Sequence, residues 1–253
     1  MFLSSPHLTT KPLRIVSLVP SLTELIHYLG LEDETIAITK FCIHPAHWFK
    51  SKIKIGGTKN LNVEKIICLR PDLVIANKEE NVKEEIEKLA LYLPVWLTEV
   101  NNLADAYTMI TDIGNVTYRS AEAEKLNEAI KFEFDTLYKC SNIPVCYLIW
   151  NDPLMTIGGD TFIHDMLEKT GLKNVFGSQK RYPEITMTQI KDSDCKLVLL
   201  SSEPYPFTDT HVAMFSELLP GIKVKLVDGE MFSWYGNRLL KSANYFKTMC
   251  MKF

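Results

Sequence analysis

A twelve-residue stretch, TKFCIHPAHWFK at residues 39–50, holds the densest group of metal-ligating and nucleophilic side chains in the sequence. Cys42, His44 and His47 offer one thiolate and two imidazoles, which suit zinc, copper or cobalt. A structural zinc site usually needs four ligands in paired motifs, and no second pair lies nearby. Three interpretations stay open: a bound metal ion, contact with a large ligand to which the thiol or an imidazole donates, and a loop with Trp48 packed inside.

Catalysis by this stretch is not predicted. A cysteine nucleophile needs a base and an oxyanion hole. His44 is close to Cys42 in sequence, but no Asn or Asp is placed to orient it. The histidines at positions 164 and 211 fall on predicted helices, where packed or solvated rings are the usual case. We therefore predict no catalytic residue and no protein-bound metal ion.

Two further stretches carry aromatic side chains suited to a large flat ligand. Trp150 ends the apolar run VCYLIW and is followed by Met155 and the glycine pair 158–159, which permits close backbone approach. Trp234 and Tyr235 stand in GEMFSWYGNR, before the last predicted helix. The competing interpretation is a tight turn for the Trp150 stretch and ordinary core packing for the Trp234 stretch. The predicted ligand-binding residues are Cys42, His44, Trp48, Lys59, Trp150, Met155, Trp234 and Tyr235.

The composition narrows the class of protein. The chain has 253 residues, 46% of them hydrophobic, which suits one large or two modest domains. A net charge of −3 lacks the basic excess of a nucleic-acid-binding protein. No apolar run approaches the roughly 18 residues of a membrane span, and the N-terminal residues do not read as a secretory signal. The six cysteines form no CxxC pair, so we predict reduced structural thiols.

The apolar pattern alternates between strands and helices. Capping boxes are predicted at Ser21 with Glu24 and at Thr186 with Gln189, and Gly30 is predicted to follow the end of the first helix. One long helix is predicted over 117–139 and one last helix over 234–251. The predicted strands cover 14–19, 35–39, 73–76, 94–98, 145–150, 196–201 and 224–228. Other helices are predicted at 21–30, 62–69, 78–89, 101–114, 161–171 and 209–218.

An internal repeat relates the two halves of the chain. A shift of 124 positions places NVEKIICLRPDLVIANKE, which begins at Asn62, on TMTQIKDSDCKLVLLSSE. Ile66 then aligns with Ile190, and Glu79 aligns with Glu203. The order of elements is kept although identity is low. The repeat predicts two similar α/β lobes, each with an acidic residue after the same strand.

Four stretches resemble a known family. They are RIVSLVPSLTELIHYLG, GGTKNLNVEKIICLRPDLVIA, DPLMTIGGDTFIHDMLEKTGLKNVFG and VDGEMFSWYGNRLL. Together they are similar to the helical-backbone (class III) solute-binding proteins of ABC importers, nearest to the cobalamin-binding branch and beside the ferric-siderophore and haem binders. The resemblance covers nearly the whole chain.

The resemblance implies an α/β fold of two Rossmann-like lobes joined by one long backbone helix, with a ligand cleft between the lobes. The domains would be 1–115, the linking helix 116–140, and 141–253. An acidic residue on each lobe would dock on arginines of the permease, and the repeat points to Glu79, or its neighbour Glu80, and to Glu203. Family members reside in the periplasm, but the absence of a signal peptide also permits a cytoplasmic protein.

The resemblance therefore implies a non-enzymatic, monomeric binding component that takes a cobalt corrinoid and delivers it to an ABC permease, with only peripheral contact to the membrane complex and no cofactor. A ferric-siderophore or haem binder is the alternative within the same class. A tetrapyrrole metal chelatase is the alternative from another class, in which His44 and Glu203 would take part in metal insertion. Few arginines stand at the predicted strand ends, which favours the corrinoid over a siderophore.

Overall fold

The computed structural model describes residues 1–6 and 8–251, and it divides into two compact α/β units. The first unit comprises 1–100, 104–130 and 235–238. The second comprises 101–103, 131–234 and 239–253, of which the last two residues lie outside the described part. The predicted α/β class with two Rossmann-like units is confirmed.

The first unit is built on a parallel sheet in the order β3-β2-β1-β6-β7, with a small antiparallel pair, β4-β5, beside it. Its strands are β1 Ile15–Ser17, β2 Thr35–Ile38, β3 Ile53–Lys54, β4 Gly56–Gly57, β5 Asn60–Leu61, β6 Leu73–Asn77 and β7 Val95–Thr98. Its helices are α1 Pro20–Tyr28, α2 Ala46–Ser51, α3 Val63–Cys68, α4 Lys83–Ala90, α5 Leu103–Val116 and α6 Ser120–Asp135. The first residue of α5 and the last turn of α6 are counted in the second unit. Strands β1 and β6 are buried along their whole length, as expected for a sheet covered on both faces.

The second unit repeats this arrangement in the order β10-β8-β11-β12, and a short β9 pairs antiparallel with β8. Its strands are β8 Ile143–Asn151, β9 Leu154–Thr156, β10 Leu172–Asn174, β11 Leu197–Ser201 and β12 Lys223–Val227. Its helices are α7 Phe162–Lys169, α8 Met187–Asp192, α9 Asp209–Leu218, α10 Glu230–Ser233 and α11 Leu239–Cys250. A core that includes Cys146, Phe176, Ile190, Val198 and Phe215 lies beneath the sheet.

The internal repeat holds in three dimensions at the predicted shift. Helix α3 and strand β6 occupy positions that become those of α8 and β11 when 124 is added to each bound. The side chain of Asn62 caps α3 by accepting from the amide of Lys65, and Thr186 caps α8 in the same way with the predicted capping box. The same strand, turn and cap therefore recur in both units.

Several predicted helix boundaries are wrong, including the start of the helix predicted at 78–89, which begins only at Lys83. Helix α1 begins at Pro20 after an extended Val19, without a side-chain cap, so Ser21 and Glu24 form no capping box. Gly30, with a φ of +74°, does follow the end of this helix as predicted. The long helix is shorter than expected, because Tyr118 has a φ of +62° that breaks the helix before Ser120.

The last predicted helix, 234–251, begins only at Leu239 as α11, because residues 234–238 form a break between it and the short α10. Gly236 has a φ of +91°, which reverses the chain locally and which side chains disfavour. The apolar spacing of this segment continues across the break, so periodicity alone could not locate it. The division of the chain at 1–115, 116–140 and 141–253 stays a prediction, and the boundary between the compact units falls inside α6, after Ile130.

The expectation of six reduced cysteines is wrong for one pair. Cys140 and Cys250 form a disulfide with their Cα atoms 5.3 Å apart. It joins the segment before β8 to the end of α11, both in the second unit. Sequence spacing could not reveal the bond because its partners are separated by 110 positions.

Candidate functional site

The carboxyl ends of parallel strands are where α/β folds place their functional loops. In the first unit, residues 39–45 follow β2 and residues 78–82 follow β6. In the second unit, the β8–β9 turn and residues 202–208 occupy the same edge of the sheet. Five predicted site residues fall on these segments, namely Cys42, His44, Glu79, Glu80 and Glu203, and Trp150 and Met155 lie on the strands beside the β8–β9 turn.

Two residues of TKFCIHPAHWFK lie in the interior of the first unit. The thiol of Cys42 is fully buried, 3.0 Å from Oγ1 of Thr23 and 3.1 Å from Oγ1 of Thr39. Burial raises the pKa of this thiol, so it stays protonated at neutral pH. Trp48 is also fully buried, on α2, with its ring 5.0 Å from that of His27. Their burial contradicts a ligand-contact role in this conformation and favours the packed alternative for both.

The residues that this stretch presents to solvent are different ones. Phe41 and Ile43 are 52% and 45% exposed, although both are large and apolar. Lys40 lies over the Phe41 ring at 5.1 Å. Sequence reasoning missed this pair because it ranked residues by metal-ligating chemistry. The signal that could have found them is the apolar residue on each side of a buried Cys42.

The polar candidates of the first unit lie at the surface. His44 is half-buried, and Lys59 is exposed with its ammonium group donating to the backbone carbonyl of Glu79. The backbone amides of Glu79 and Glu80 donate to the side-chain oxygen of Asn77 at 2.9 and 3.2 Å. Asn77 ends β6, so the turn that carries both acids is fixed by the strand itself.

In the second unit, Trp150 and Met155 face each other across the β8–β9 pair. Trp150 is 38% exposed, and its indole nitrogen donates to the carbonyl of Asp152 at 2.9 Å. The ring of Tyr205 lies 5.5 Å from that of Trp150, which extends the aromatic surface. This pairing of Trp150 with Met155 makes an apolar surface at a strand end, and Tyr205 is the member that sequence reasoning left out.

Trp234 and Tyr235 are almost fully buried. The indole of Trp234 donates to the carboxylate of Glu203 at 2.9 Å, and the hydroxyl of Ser233 donates to the same oxygen at 2.6 Å. Trp234 thus holds an acidic side chain in place in this structure. A wall role for Trp234 or Tyr235 stays a prediction.

Glu203 follows β11 at the position that Glu79 occupies after β6. Burial raises the pKa of this carboxyl, the bonds from Ser233 and Trp234 act against the rise, and the nearby charges of Glu230 and Asp228 add to it. A carboxylate held charged under these conditions costs stability. Such a cost is a common sign of a functional group, because folding alone would favour a neutral residue there.

Comparison with known proteins agrees with this geometry. The family described as "Periplasmic binding protein" matches residues 15–216, which is most of the chain. The chain belongs to this family. The fold is that of class III solute-binding proteins, and a solved haem-binding protein of Vibrio cholerae, HutB, aligns with a TM-score of 0.80 at 21% identity over 94% of this chain and 98% of its own.

Two curated relatives of this periplasmic binding protein extend the comparison. A "Vitamin B12-binding protein" of Vibrio parahaemolyticus is 24% identical over 100% of this chain and 94% of its own length. An "Uncharacterized ABC transporter substrate-binding lipoprotein", YvrC of Bacillus subtilis, is 29% identical over 70% of this chain and 59% of its own. The chain is therefore a solute-binding component of an ABC transporter, and it is not an enzyme, which sets the chelatase alternative aside.

No helix within the described residues is long and apolar enough to cross a bilayer.

Proposed function

We propose that this protein binds a cobalamin-like corrinoid and delivers it to an ABC permease. The observation that carries the proposal is the match to a vitamin B12-binding protein over all of this chain and 94% of the relative's length. A corrin macrocycle is large and flat, and such ligands are held mainly by apolar contact with a few orienting polar groups. Exposed apolar side chains at the strand ends, Phe41 and Ile43 in one unit and Trp150 beside half-buried Met155 in the other, supply that kind of surface.

Haem and ferric siderophores are the alternative ligands, because solved relatives of this fold bind them. A haem site normally supplies an axial donor from the protein. Burial of Cys42 removes one of the two donors considered in the first unit, and His44 is left. A cobalamin carries axial ligands of its own, so its site needs contact area more than a donor. This difference favours the corrinoid.

Trp150→Ala is expected to weaken cyanocobalamin binding about 10- to 100-fold, since buried aromatic contacts dominate binding energy when a ligand covers them. Isothermal titration calorimetry of the wild type and the variant measures the change. Trp150→Phe should retain most of the affinity. Tyr92→Ala is the matched control: Tyr92 is 65% exposed and precedes β7, at the opposite edge of the sheet from the strand ends. Unchanged affinity in Trp150→Ala would remove this residue from the site.

We further propose that Glu79, Glu80 and Glu203 dock on basic residues of the permease. The repeat places Glu79 and Glu203 at equivalent strand ends, each on a turn tied to the last residue of the strand, Asn77 or Ser201. Paired carboxylates on basic partners give orientation and on-rate more than affinity. Replacement of these carboxylates would therefore leave the affinity for the ligand unchanged.

Glu203→Gln is expected to lower uptake several-fold while leaving ligand affinity unchanged. The variant should also be at least as stable as the wild type at pH 7. The raised pKa of Glu203 means that the wild-type carboxyl stabilises the fold only while protonated, and this contribution is lost as the pH rises through its folded-state pKa. The stability gain of the variant should therefore shrink as the pH falls through the folded-state pKa toward 4.5, the ordinary glutamate value, and should change little below it. Transport into permease-bearing vesicles and thermal unfolding at both pH values measure this.

Glu217→Gln is the control for that experiment, because Glu217 is an exposed acid on α9. It should change neither uptake nor the pH dependence of unfolding. A Glu203→Gln protein that transports normally would contradict the docking role.

We also propose that the protein works outside the cytoplasm. The Cys140–Cys250 disulfide supports this, since such bonds persist mainly in oxidising compartments. Fractionation of native cells, with the redox state of the two cysteines read by alkylation, tests it. Recovery in the cytoplasm with both thiols free would contradict it.

A further inference from the structure

We propose that His27, Glu32 and His47 form a binding site for a divalent transition metal of the Zn²⁺ type on the first unit. Within the described residues, this is the one group of three His, Cys, Asp or Glu side chains whose ligand atoms all lie within 4.8 Å of one another. The group differs from the metal set considered from sequence, which combined His47 with Cys42 and His44. The structure buries Cys42 and brings two residues from outside that stretch instead.

The distances suit a metal that draws the three groups together slightly. Nε2 of His47 lies 3.3 Å from Oε1 of Glu32. Neighbouring ligands on a tetrahedral zinc with bonds of about 2.0–2.1 Å lie roughly 3.4 Å apart. The rings of His27 and His47 have centroids 5.3 Å apart and an interplanar angle of 70°, so they are not stacked and their nitrogens can converge. Side-chain rotations of the two exposed members close the remaining gap.

Three separate elements supply the ligands, and two of them are held by the fold. His27 lies in the last turn of α1 and packs edge-on against buried Trp48 at 5.0 Å. Glu32 lies in the turn before β2, and Lys52 fixes that turn by donating to the Glu32 carbonyl at 2.6 Å. His47 is exposed and adjustable. Because the backbone at His27 and Glu32 is held while the exposed side chains of Glu32 and His47 can rotate, the group can admit an ion without rearranging the backbone.

The site is separate from the proposed ligand surface. Helix α1 returns from the carboxyl end of β1, so its last turn reaches the amino-terminal edge of the sheet, where Glu32 precedes β2. The strand-end loops lie at the other edge. Lys52 carries a positive charge near the cluster, with its ammonium group 5.1 Å from the Trp48 ring. This charge repels a bound cation and lowers its affinity.

Two imidazoles and one carboxylate form a donor set that zinc, nickel and copper accept, and three protein ligands leave coordination positions for water. An ion bound here would fasten the last turn of α1 to α2. The structure thus assigns the cluster the role of a metal-dependent clamp on the first unit.

The test uses the full-length chain without a histidine tag, stripped with EDTA and titrated with ZnCl2 by calorimetry. One equivalent is expected to bind saturably. His47→Ala and Glu32→Gln should each weaken binding at least about tenfold, and zinc should raise the unfolding temperature of the wild type but not of these variants. Both changed residues are exposed, so the variants should fold.

His164→Ala is the matched control. His164 lies 3.7 Å from Glu168 on α7, and this histidine–carboxylate pair belongs to no group of three ligands among residues 1–6 and 8–251. It should bind zinc like the wild type. A second readout is quenching of Trp48 fluorescence by Cu²⁺, which should be lost in His47→Ala. The absence of saturable zinc binding, or an equal loss in His164→Ala, would overturn the proposal.

Discussion

Arg238→Ala is expected to destabilise the protein by about 3–5 kcal/mol, because it leaves a buried carboxylate without its nearest cation. Nε of Arg238 lies 2.7 Å from Oε2 of Glu24, and the two side chains are only 4% and 9% exposed. The residues are 214 positions apart, so the ion pair joins the segment 235–238 to helix α1 within the first unit. Gly236 packs near Leu25 of the same helix, where an added Cβ would lie 3.2 Å from the leucine Cβ.

Urea unfolding followed by far-UV circular dichroism measures this loss. The double variant Glu24→Gln, Arg238→Met should recover much of it, since replacing a whole buried ion pair by neutral groups costs far less than breaking it. Lys83→Ala is the control. Its pair with Glu87 spans 3.7 Å on the surface with both side chains more than half exposed, and it should contribute less than about 1 kcal/mol. Equal losses in both single variants would contradict the assignment.

Loss of the Cys140–Cys250 disulfide is expected to cost about 2–5 kcal/mol. The bond closes a loop of 110 positions, and long loops lose much entropy in the unfolded chain when they are cross-linked. Cys140→Ser with Cys250→Ser, compared with the wild type in thermal unfolding with and without reductant, measures the loss. Reductant should lower the unfolding temperature of the wild type alone.

Cys68→Ser is the control for the disulfide, because Cys68 is an exposed free cysteine. It should leave unfolding unchanged. Thiol titration of the unfolded wild type without reductant should find the free cysteines Cys42, Cys68, Cys146 and Cys195. Six reactive thiols would contradict the bond.

The alternation of buried strands with capped helices was strong enough in the sequence to predict the α/β fold and its repeat. Asn62 and Thr186 are good N-cap residues at equivalent places, and each precedes an apolar strand whose residues are all buried. Local signals of this kind act within a few residues, so they survive without any knowledge of the tertiary fold.

The side chains that line the candidate site were harder to predict, because the burial of each one depends on contacts between distant segments. Cys42 was predicted to contact the ligand, but its thiol is buried and lies against Thr23 of α1. The indole of Trp234 is turned to Glu203, 31 positions earlier, and His47 meets Glu32 across the turn before β2. Residue type points to candidate stretches, and packing decides which of their side chains face solvent.

Binding of a corrinoid by this protein is tested most directly by a tryptophan-fluorescence titration. Untagged protein is titrated with cyanocobalamin, haemin and a ferric hydroxamate, each corrected for inner-filter absorption. We expect saturable one-to-one binding of cyanocobalamin with a dissociation constant on the order of 1 µM or tighter, which corresponds to about −8 kcal/mol, and weaker or no binding of the other two. Saturation by haemin or the ferric hydroxamate, with no response to cyanocobalamin, would contradict it.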